Sequence, residues 1–385
     1  MVRVLHLYHT DIRCDSRILK EMIALATPTN DYQLFGIGVQ RDESNNVSSQ
    51  ALSLEVYSID LFSRKLILLP KILRHSLTLF ELIGKAFVKA KKMRPEIIHC
   101  HDTTVLPLGI LLKFFTKSKL IYDAHELESD RNGLSNTLSY LTLYAEKFAW
   151  PFIDFFITVS ASINKWYQDN IGLKNSAVIL NSPVITELSV ENKGFGKSYL
   201  REKFNIPERA KIFIYVGILS RGRGIEKILD VFSVNHKSHI VFMGYGELSD
   251  IINKKAHGYS NIHFHEAVAH ENVVQIVQSA DVGICLIENV SLSDYYCLPN
   301  KLFEYCFAEI PILASNFPDI SETVKKYNLG KCSELDSTSI YLALKEFETL
   351  KELPKINAEN LYELSWGSQE KKLIKLYDNL MDKEK

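Results

Sequence analysis

A glycine turn that carries two arginines offers a site for a phosphate group. The stretch "YVGILSRGRGIEKIL" (215–229) reads as an apolar strand, a turn containing Arg221 and Arg223, and then a helix. Backbone N–H groups at a helix start attract an anion, and guanidinium groups bind phosphate oxygens in a bidentate fork. A plain solvated turn is the alternative, and the spacing alone does not decide between the two.

A second group of polar residues lies in "DYYCLPNKLFEYC" (294–306), after the strand-like run "DVGICLI". We expect Asn300 to cap a helix beside the Lys301 ammonium, so that free backbone amides and a positive charge face the same ligand. Glu304 can accept two hydrogen bonds from hydroxyl groups, which is the geometry that a ribose diol offers. The alternative for Glu304 is an acid stabilised only by the helix N-terminus.

A third group closes the strand-like run "KLIYDAHELES" (119–129), where Asp123, His125 and Glu126 follow one another closely. A histidine at the carboxyl end of a strand, flanked by carboxylates, can have its pKa and tautomer set by them. An ordinary core histidine is the alternative.

Two other patterns point to ligands only weakly. The pairs His99/His101 and His263/His265 each place two imidazoles on one face of a strand, but no third ligand of matching spacing is visible, so we expect no metal site. "FMGYGE" (242–247) has Gly-x-Gly after a strand without the third glycine of a dinucleotide fingerprint.

The composition bounds the class of protein that positions these residues. The 385 residues exceed one ordinary core, and a net charge of -1 does not indicate a nucleic-acid partner. Six cysteines without a CxxC pair predict a reduced, cytoplasmic protein. We expect neither a signal peptide nor a membrane span, so the protein is expected in solution or on a membrane surface.

Short apolar runs alternate with helical patterns along the chain, which predicts an α/β fold of parallel sheets covered by helices. The polar stretch "ITELSVENKGFGKS" separates two such series. We therefore predict a Rossmann-like domain over 1–185 and a second over 186–365, facing each other so that the carboxyl ends of their strands form one cleft. The amphipathic segment 366–385 is predicted to be a helix.

The stretch 64–94 holds nine lysines and arginines against one acid, Glu81, with apolar residues between them. A basic amphipathic helix can lie on an anionic membrane. The alternative is a pair of surface helices that pack their leucines on the first sheet, with a helix start near Pro70.

In their order and spacing these pieces resemble the GT-B glycosyltransferases, and within them the family 4 group of retaining enzymes. The matching pieces are "DSRILKE", "EIIHCHD", "LIYDAHE" and "FITVSASI" in the first half, and "SRGRGIEKIL", "VFMGYGE", "SADVGICLI" and "LPNKLFEYCFAEIPILAS" in the second. The resemblance implies a nucleotide-sugar donor, with UDP as the favoured nucleotide, held mainly by the second domain. It also implies a glycan or lipid-linked acceptor held mainly by the first, a role in surface polysaccharide synthesis, and a final helix that packs on the first domain.

Four residues take roles from this resemblance. Arg223 matches the residue that holds the donor diphosphate, Lys301 a second phosphate contact, and Glu304 the acid that binds the ribose. His125 matches the histidine that lines the sugar side of the site near the reacting carbon. No cofactor beyond the nucleotide-sugar is implied, and no metal is expected in the site.

The sequence departs from the family pattern where the transferred sugar is held. Tyr296 replaces the first acid of the Glu-x7-Glu pattern, and Asp294 or Glu288 is the expected substitute. Ile218 stands where an arginine is frequent, which leaves Arg221 as a possible substitute. Two other functions stay open: a nucleotide-sugar epimerase, which can share the fold and needs no acceptor, and, because Tyr296 replaces an acid, a partner subunit that binds nucleotide-sugars without turnover.

Overall fold

The computed structural model describes residues 1–27, 30–40, 54–184, 195–350 and 357–382. Most of the predicted linker therefore lies outside the described residues. The chain divides into two compact units: the first comprises 1–179 and 370–385, and the second comprises 180–369.

The first unit is built on a sheet in which seven described strands run parallel. In sheet order they are β3-β2-β1-β4-β5-β6-β7, so the chain starts in the middle of the sheet and reverses direction once. The strands, numbered along the chain, are β1 Val2–Leu7, β2 Tyr32–Val39, β3 Glu55–Ile59, β4 Ile97–His101, β5 Lys119–Ala124, β6 Phe155–Thr158 and β7 Ser176–Val178.

Helices connect these strands, as parallel strands require. They are α1 Ser16–Leu25, α2 Lys71–Met93, α3 Leu106–Thr116, α4 Asn136–Ala149 and α5 Ala161–Asn170. Side-chain caps fix the starts of three of them. Asp15 accepts hydrogen bonds from the N–H groups of Arg17 and Ile18 at the start of α1, and Ser135 and Ser160 cap α4 and α5.

The second unit has a parallel sheet of six described strands in the order β10-β9-β8-β11-β12-β13. The strands are β8 Ile212–Ile218, β9 His239–Tyr245, β10 Ile262–Glu266, β11 Val282–Cys285, β12 Ile312–Ser315 and β13 Gly330–Ser333. The helices are α6 Tyr199–Phe204, α7 Ile225–Val234, α8 Ser249–Gly258, α9 His270–Val277, α10 Leu292–Tyr295, α11 Asn300–Phe307, α12 Pro318–Lys326, α13 Ser337–Thr349 and α14 Ala358–Leu364.

Strand β8 shows why both faces of this sheet are covered. Ile212, Ile214 and Val216 join the core on one face, while Phe213 and Tyr215 join the core on the other. Alternate side chains of a strand point to opposite faces, so a continuous apolar run requires helices on both. The predicted organisation, two Rossmann-like parallel sheets with helices, is confirmed.

One strand escaped the sequence prediction. β13, "GKCS", is short and lacks an apolar run, yet it pairs with β12 at the edge of the sheet. Gly330 has φ +148°, and a Cβ there would lie 2.1 Å from the carbonyl oxygen of Ile312. This strand is therefore defined by a close backbone approach that only glycine permits.

Most of the basic stretch, Lys71–Met93, forms one long helix, α2, and Arg64 and Lys65 lie in a short 3-10 helix before it. The helix begins directly after Pro70, which occupies the N-cap position. None of the described helices combines the length and the apolar character needed to cross a bilayer.

The chain ends in helix α15, Trp366–Asp382, and its residues from Glu370 onward belong to the first unit. There the Tyr377 hydroxyl lies 2.6 Å from Nδ1 of His99, and the Tyr32 hydroxyl donates to Asp378. Leu373, Leu376 and Tyr377 are buried, so the apolar side of this segment is covered.

Candidate functional site

The second unit contains a cavity of about 530 Å³ at the carboxyl ends of its central strands. This volume lies within the range of about 300–1,000 Å³ that ligand sites occupy. Four residues singled out from the sequence line it: Arg223, Asn300, Lys301 and Glu304. Its remaining walls come from β8, β9 and the residues that follow β10.

The ends of β8 and β9 approach each other closely along this cavity. Gly217 and Gly244 face one another across the strand pair, and a Cβ on Gly244 would lie 1.9 Å from the carbonyl oxygen of Gly217. Gly244 has φ +154°, a backbone conformation that other residues rarely adopt. The Gly-x-Gly pattern of the sequence thus serves strand packing beside the cavity.

Lys301 brings an uncompensated positive charge to the cavity wall. Its Nζ is buried and has no hydrogen-bond partner among the described residues. The ammonium lies 3.6 Å from the centre of the Tyr215 ring. This cation–π contact replaces part of the stabilisation that water would give the positive charge. A buried ammonium without an acceptor favours the binding of an anion beside it.

The predicted cap of α11 is wrong by one position. Pro299 occupies the N-cap with φ -76° and ψ 147°, and Asn300 is the first helical residue, with no side-chain cap. The fixed φ of proline suits a helix start, and this places the asparagine one step inside. Asn300 is exposed and lines the cavity, so its side chain stays available to a ligand.

Arg223 is held by an acid that the sequence singled out for a different role. Its guanidinium lies 3.7 Å from Oδ1 of the buried Asp294, whose Oδ2 accepts a hydrogen bond from the Ser291 hydroxyl. Arg221, in contrast, is exposed and does not line the cavity; its backbone N–H donates to Glu247. The structure therefore separates the two arginines of the turn, and only Arg223 faces the cavity.

Glu304, the residue predicted to bind the ribose, lines the cavity and is 9% exposed. Tyr296 and Glu288, predicted on the side of the transferred sugar, do not line it. Tyr296 follows the short helix α10 and packs on Tyr295. The backbone N–H of Glu288 donates to the carbonyl of Gly222, which ties the loop after β11 to the arginine turn.

In the first unit, His125 is surrounded by two carboxylates and a second histidine. Its Nδ1 lies 3.7 Å from Asp102, and its Nε2 lies 3.4 Å from Asp123 and 3.1 Å from Nδ1 of His101. Burial by itself lowers the pKa of His125, but Asp102 and Asp123 outweigh it and raise the pKa to about 9. The imidazole is therefore held as a cation at neutral pH.

Asp123 does not take the substrate-binding place predicted for it. It is fully buried, and Arg17 donates to both of its oxygens at 3.0–3.2 Å. Burial alone raises the pKa of this carboxyl, but the charges of Arg17 and His125 hold it well below its usual range. Asp123 supports the histidines from beneath, while Glu126, three residues further on, is exposed.

Asp102 belongs to this site and was missed as a site residue. It has φ +66°, an uncommon conformation for a residue with a side chain, and it is 6% exposed. Its two oxygens lie near His125 and, at 3.6 Å, near His9. Burial first, and then the charge of Asp102, raise the pKa of the neighbouring Glu128 well above its usual value. The sequence "HCHD" at the end of β4, with Asp102 directly after the strand, was the available signal.

Two further histidines lie beneath this group inside the sheet. His6 and His99 are fully buried, and with His101 they form a series of tilted and stacked rings whose centroids are 4.3–5.2 Å apart. One potential ligand atom from each of these three residues and from Glu21 lies within 4.8 Å of the others. The sequence spacing of His99 and His101 showed no third potential metal ligand. The fold brings two more, His6 and Glu21, close to them.

Comparison with known proteins gives a consistent picture. Residues 197–363 match the family described as "Glycosyl transferases group 1". The chain is 21% identical over 325 residues to chitobiosyldiphosphodolichol beta-mannosyltransferase of Kluyveromyces lactis, covering 76% of this chain and 70% of that protein.

Solved structures resemble it along its whole length. Sucrose-phosphate synthase of Thermosynechococcus elongatus superposes with a TM-score of 0.74 at 14% identity, covering 99% of this chain and 100% of the other. HepE of Anabaena in complex with UDP-glucose gives a TM-score of 0.73 at 14% identity, covering 98% and 100%. The chain therefore has the GT-B fold, and its second unit carries the sequence pattern of the group 1 glycosyl transferases.

Proposed function

We propose that this protein transfers a sugar from a nucleotide-sugar to a glycan or lipid-linked acceptor, with retention of the anomeric configuration. The observation that carries the proposal is the cavity of the second unit, where an unpaired buried ammonium, a guanidinium and a carboxylate line one wall. These groups match the two parts of a nucleoside diphosphate: cations for the phosphates, and an acid for the ribose diol.

Each of the three residues has a defined role in donor binding. Lys301 and Arg223 bind the diphosphate, and the first N–H groups of α11 add further donors. Glu304 accepts hydrogen bonds from the ribose hydroxyls. UDP is the proposed nucleotide, which is in keeping with the UDP-glucose named for the Anabaena structure. The sugar is proposed to be a hexose or an N-acetylhexosamine; the Kluyveromyces relative, named a beta-mannosyltransferase, favours mannose but does not support retention.

The proposed chemistry relies on stabilising the leaving group. The bond from the anomeric carbon to the diphosphate oxygen breaks as the bond to the acceptor oxygen forms on the same face. The acceptor proton passes to the departing phosphate oxygen, whose developing negative charge is stabilised by Arg223 and Lys301. His125 shapes the sugar site as a cation, and its proton is held by the two neighbouring carboxylates.

The face of the first unit formed by α2, α3 and α4 supports a lipid-linked acceptor and a peripheral location on the cytoplasmic side of a membrane. Phe80 of α2, Phe114 of α3 and Phe148 of α4 are 72%, 66% and 72% exposed. The rings continue from α3 to α4, since Phe152, just after α4, lies against both Phe114 and Phe148. Exposed aromatic rings between basic residues suit an anionic bilayer surface.

The same face couples apolar and basic groups directly. The Lys91 ammonium lies 4.9 Å from the centre of the Phe115 ring and 5.9 Å from that of Phe87. Ile67 and Leu68, just before α2, are 77% and 102% exposed. The name of the Kluyveromyces relative states a dolichol-linked acceptor, which is in keeping with this proposal.

A thermal-shift panel of UDP-, GDP- and dTDP-sugars tests the donor. A nucleotide-sugar at about 100 times its dissociation constant should stabilise the protein by about 2.7 kcal/mol. Incubation with and without acceptor, followed by NMR of the product, then separates the functions. Transfer with an α-donor giving an α-product supports retention, a β-product refutes it, and sugar interconversion without acceptor identifies an epimerase. Binding without any product identifies a non-catalytic subunit.

Sedimentation with vesicles tests the membrane face. Wild-type protein should bind phosphatidylglycerol-containing vesicles in a salt-sensitive way and bind pure phosphatidylcholine vesicles weakly. Replacing both Phe114 and Phe148 by serine should abolish binding. Leu342→Ser, at an exposed leucine of the second unit, is the matched control. Equal binding to both vesicle types, or none, would overturn the proposed location without affecting the proposed reaction.

A further inference from the structure

Ring nitrogens and carboxylate oxygens with few or no hydrogen-bond partners are buried close together in the first unit. Nε2 of His6, Nε2 of His99 and Oε2 of Glu21 have none among the described residues, and Oε1 of Glu21 has only an ion-pair contact of 3.2 Å with Arg17. All three side chains are fully buried. Native proteins pair nearly all such atoms, so several together indicate a guest that binds them.

The two imidazoles are fixed through their other nitrogens. Nδ1 of His6 lies 2.9 Å from Nε2 of His101, and Nδ1 of His99 lies 2.6 Å from the Tyr377 hydroxyl. If each Nδ1 carries the proton of its hydrogen bond, each Nε2 has a lone pair free to bind an ion. Histidines that bind metals usually have this arrangement, with the second nitrogen hydrogen-bonded to a supporting group.

The charged groups around Glu21 bear on whether a cation can bind there. Arg17 lies 3.2 Å from Oε1 of Glu21, but it also forms a close ion pair with Asp123, whose negative charge compensates it. Burial and then the charge of Asp123 raise the pKa of the Glu21 carboxyl to about 8, so an ion that binds there would displace its proton, as metal ions do when they bind protonated ligands.

From this geometry we infer that His6, His99 and Glu21 form a binding site for a divalent transition metal ion, with zinc as the best match. Two imidazoles and a carboxylate are ligands that zinc commonly takes. One ligand atom from each of these residues, and one from His101, lies within 4.8 Å of the others. A point among three atoms separated by at most 4.8 Å lies within about 2.8 Å of each, so an inward shift of up to about 0.7 Å gives zinc distances of about 2.0–2.2 Å.

The site would join three elements of the first unit. His6 is on β1, Glu21 on α1 and His99 on β4, and the Tyr377 hydroxyl ties the site to α15. Because all the ligands are buried, the ion would serve stability and would not contact a substrate. The inference is independent of the proposed sugar transfer, which relies on other residues.

Metal analysis of the full chain tests the inference. The protein is purified without a metal-affinity column from cells grown with trace metals, and its metal content is measured by inductively coupled plasma mass spectrometry. About one equivalent of zinc per chain is expected. Replacement by Co²⁺ should give the visible absorption bands of a site with nitrogen and oxygen ligands, and prolonged chelation should lower the melting temperature, which added zinc restores.

Variants locate the ion. Glu21→Gln and His99→Gln should lose the metal, and Tyr377→Phe should weaken its affinity by about 10- to 100-fold, because only a supporting hydroxyl is lost. His263→Gln is the matched control: His263 also stacks on a hydrogen-bonded histidine, His239, but the described residues place no carboxylate with that pair. Its metal content should equal that of the wild type.

The wild-type protein alone can overturn the inference. If it contains less than about a tenth of an equivalent of any transition metal, and neither zinc nor chelation moves the melting temperature, the site does not exist. Metal retained in both Glu21→Gln and His99→Gln would place the ion elsewhere. Nucleotide-sugar binding, measured on the same samples, reports separately on the second unit.

Discussion

Replacement of Lys301 by methionine is the sharpest test of the cavity in the second unit. Its ammonium is buried, faces the cavity and has no hydrogen-bond acceptor among the described residues. A hydrogen bond to a charged group contributes about 1.5–3 kcal/mol. At about 1.4 kcal/mol per factor of ten, Lys301→Met should weaken binding of the nucleoside diphosphate by about 10- to 150-fold.

Stability should respond differently from binding. Methionine keeps the packing over Tyr215, and the lost cation–π contact costs about 0.5–2 kcal/mol. Removing an ammonium that is buried without an acceptor offsets much of that loss. The free energy of unfolding should therefore change by less than about 1 kcal/mol.

Titration calorimetry with the nucleotide selected by the thermal-shift panel measures the affinity, and urea unfolding measures the stability. Lys255→Met is the matched control, because Lys255 also lies over a tyrosine ring, at 5.2 Å, but outside the cavity. An affinity within about twofold of the wild type in a folded Lys301→Met protein would refute the assigned role of Lys301.

Three further outcomes are expected. Arg223→Lys should weaken nucleotide binding by about tenfold, since a bidentate fork is lost, whereas Arg221→Lys should change it little. Equal effects of the two substitutions in calorimetry would contradict the assignment of Arg223 alone to the cavity. Gly244→Ala should destabilise the protein strongly, because its Cβ would lie 1.9 Å from a backbone oxygen. Gly84→Ala, in the middle of α2 with no atom within 4 Å of its Cβ, should stabilise it by about 0.5–1 kcal/mol. Urea unfolding measures both. The pKa of His125 is raised to about 9 in the folded protein, so its stabilising contribution is complete below the unfolded value of about 6.5 and is lost as the pH rises through 9; this alkaline loss should be absent in His125→Gln.

The strands and the cavity residues were predictable because their signals are local. Apolar runs of four to eight residues define most strands of both sheets, and the turn with Arg223 and the helix with Lys301 and Glu304 each follow such a run. β13 was not predicted, because its four residues carry no apolar pattern and its place depends on backbone contact with β12.

The first-unit site was predicted only in part, because its residues come together through the fold. His6, Glu21 and His99 lie on three different elements, and nothing in their spacing places them in contact. Asp102 is set apart by its backbone conformation, which the sequence does not reveal. Tyr296, which replaces the first acid of the pattern that the resemblance implies, does not line the cavity.

The division of the first unit between the two ends of the chain has a consequence for folding during synthesis. Residues 370–385 complete this unit, but they are made only after the whole of the second unit. Until then His99 lacks the Tyr377 hydroxyl that it contacts in the finished protein. During synthesis the first sheet therefore stays incompletely covered until the second unit has been made. In a protein shortened at its C-terminus, that part of the sheet would remain uncovered.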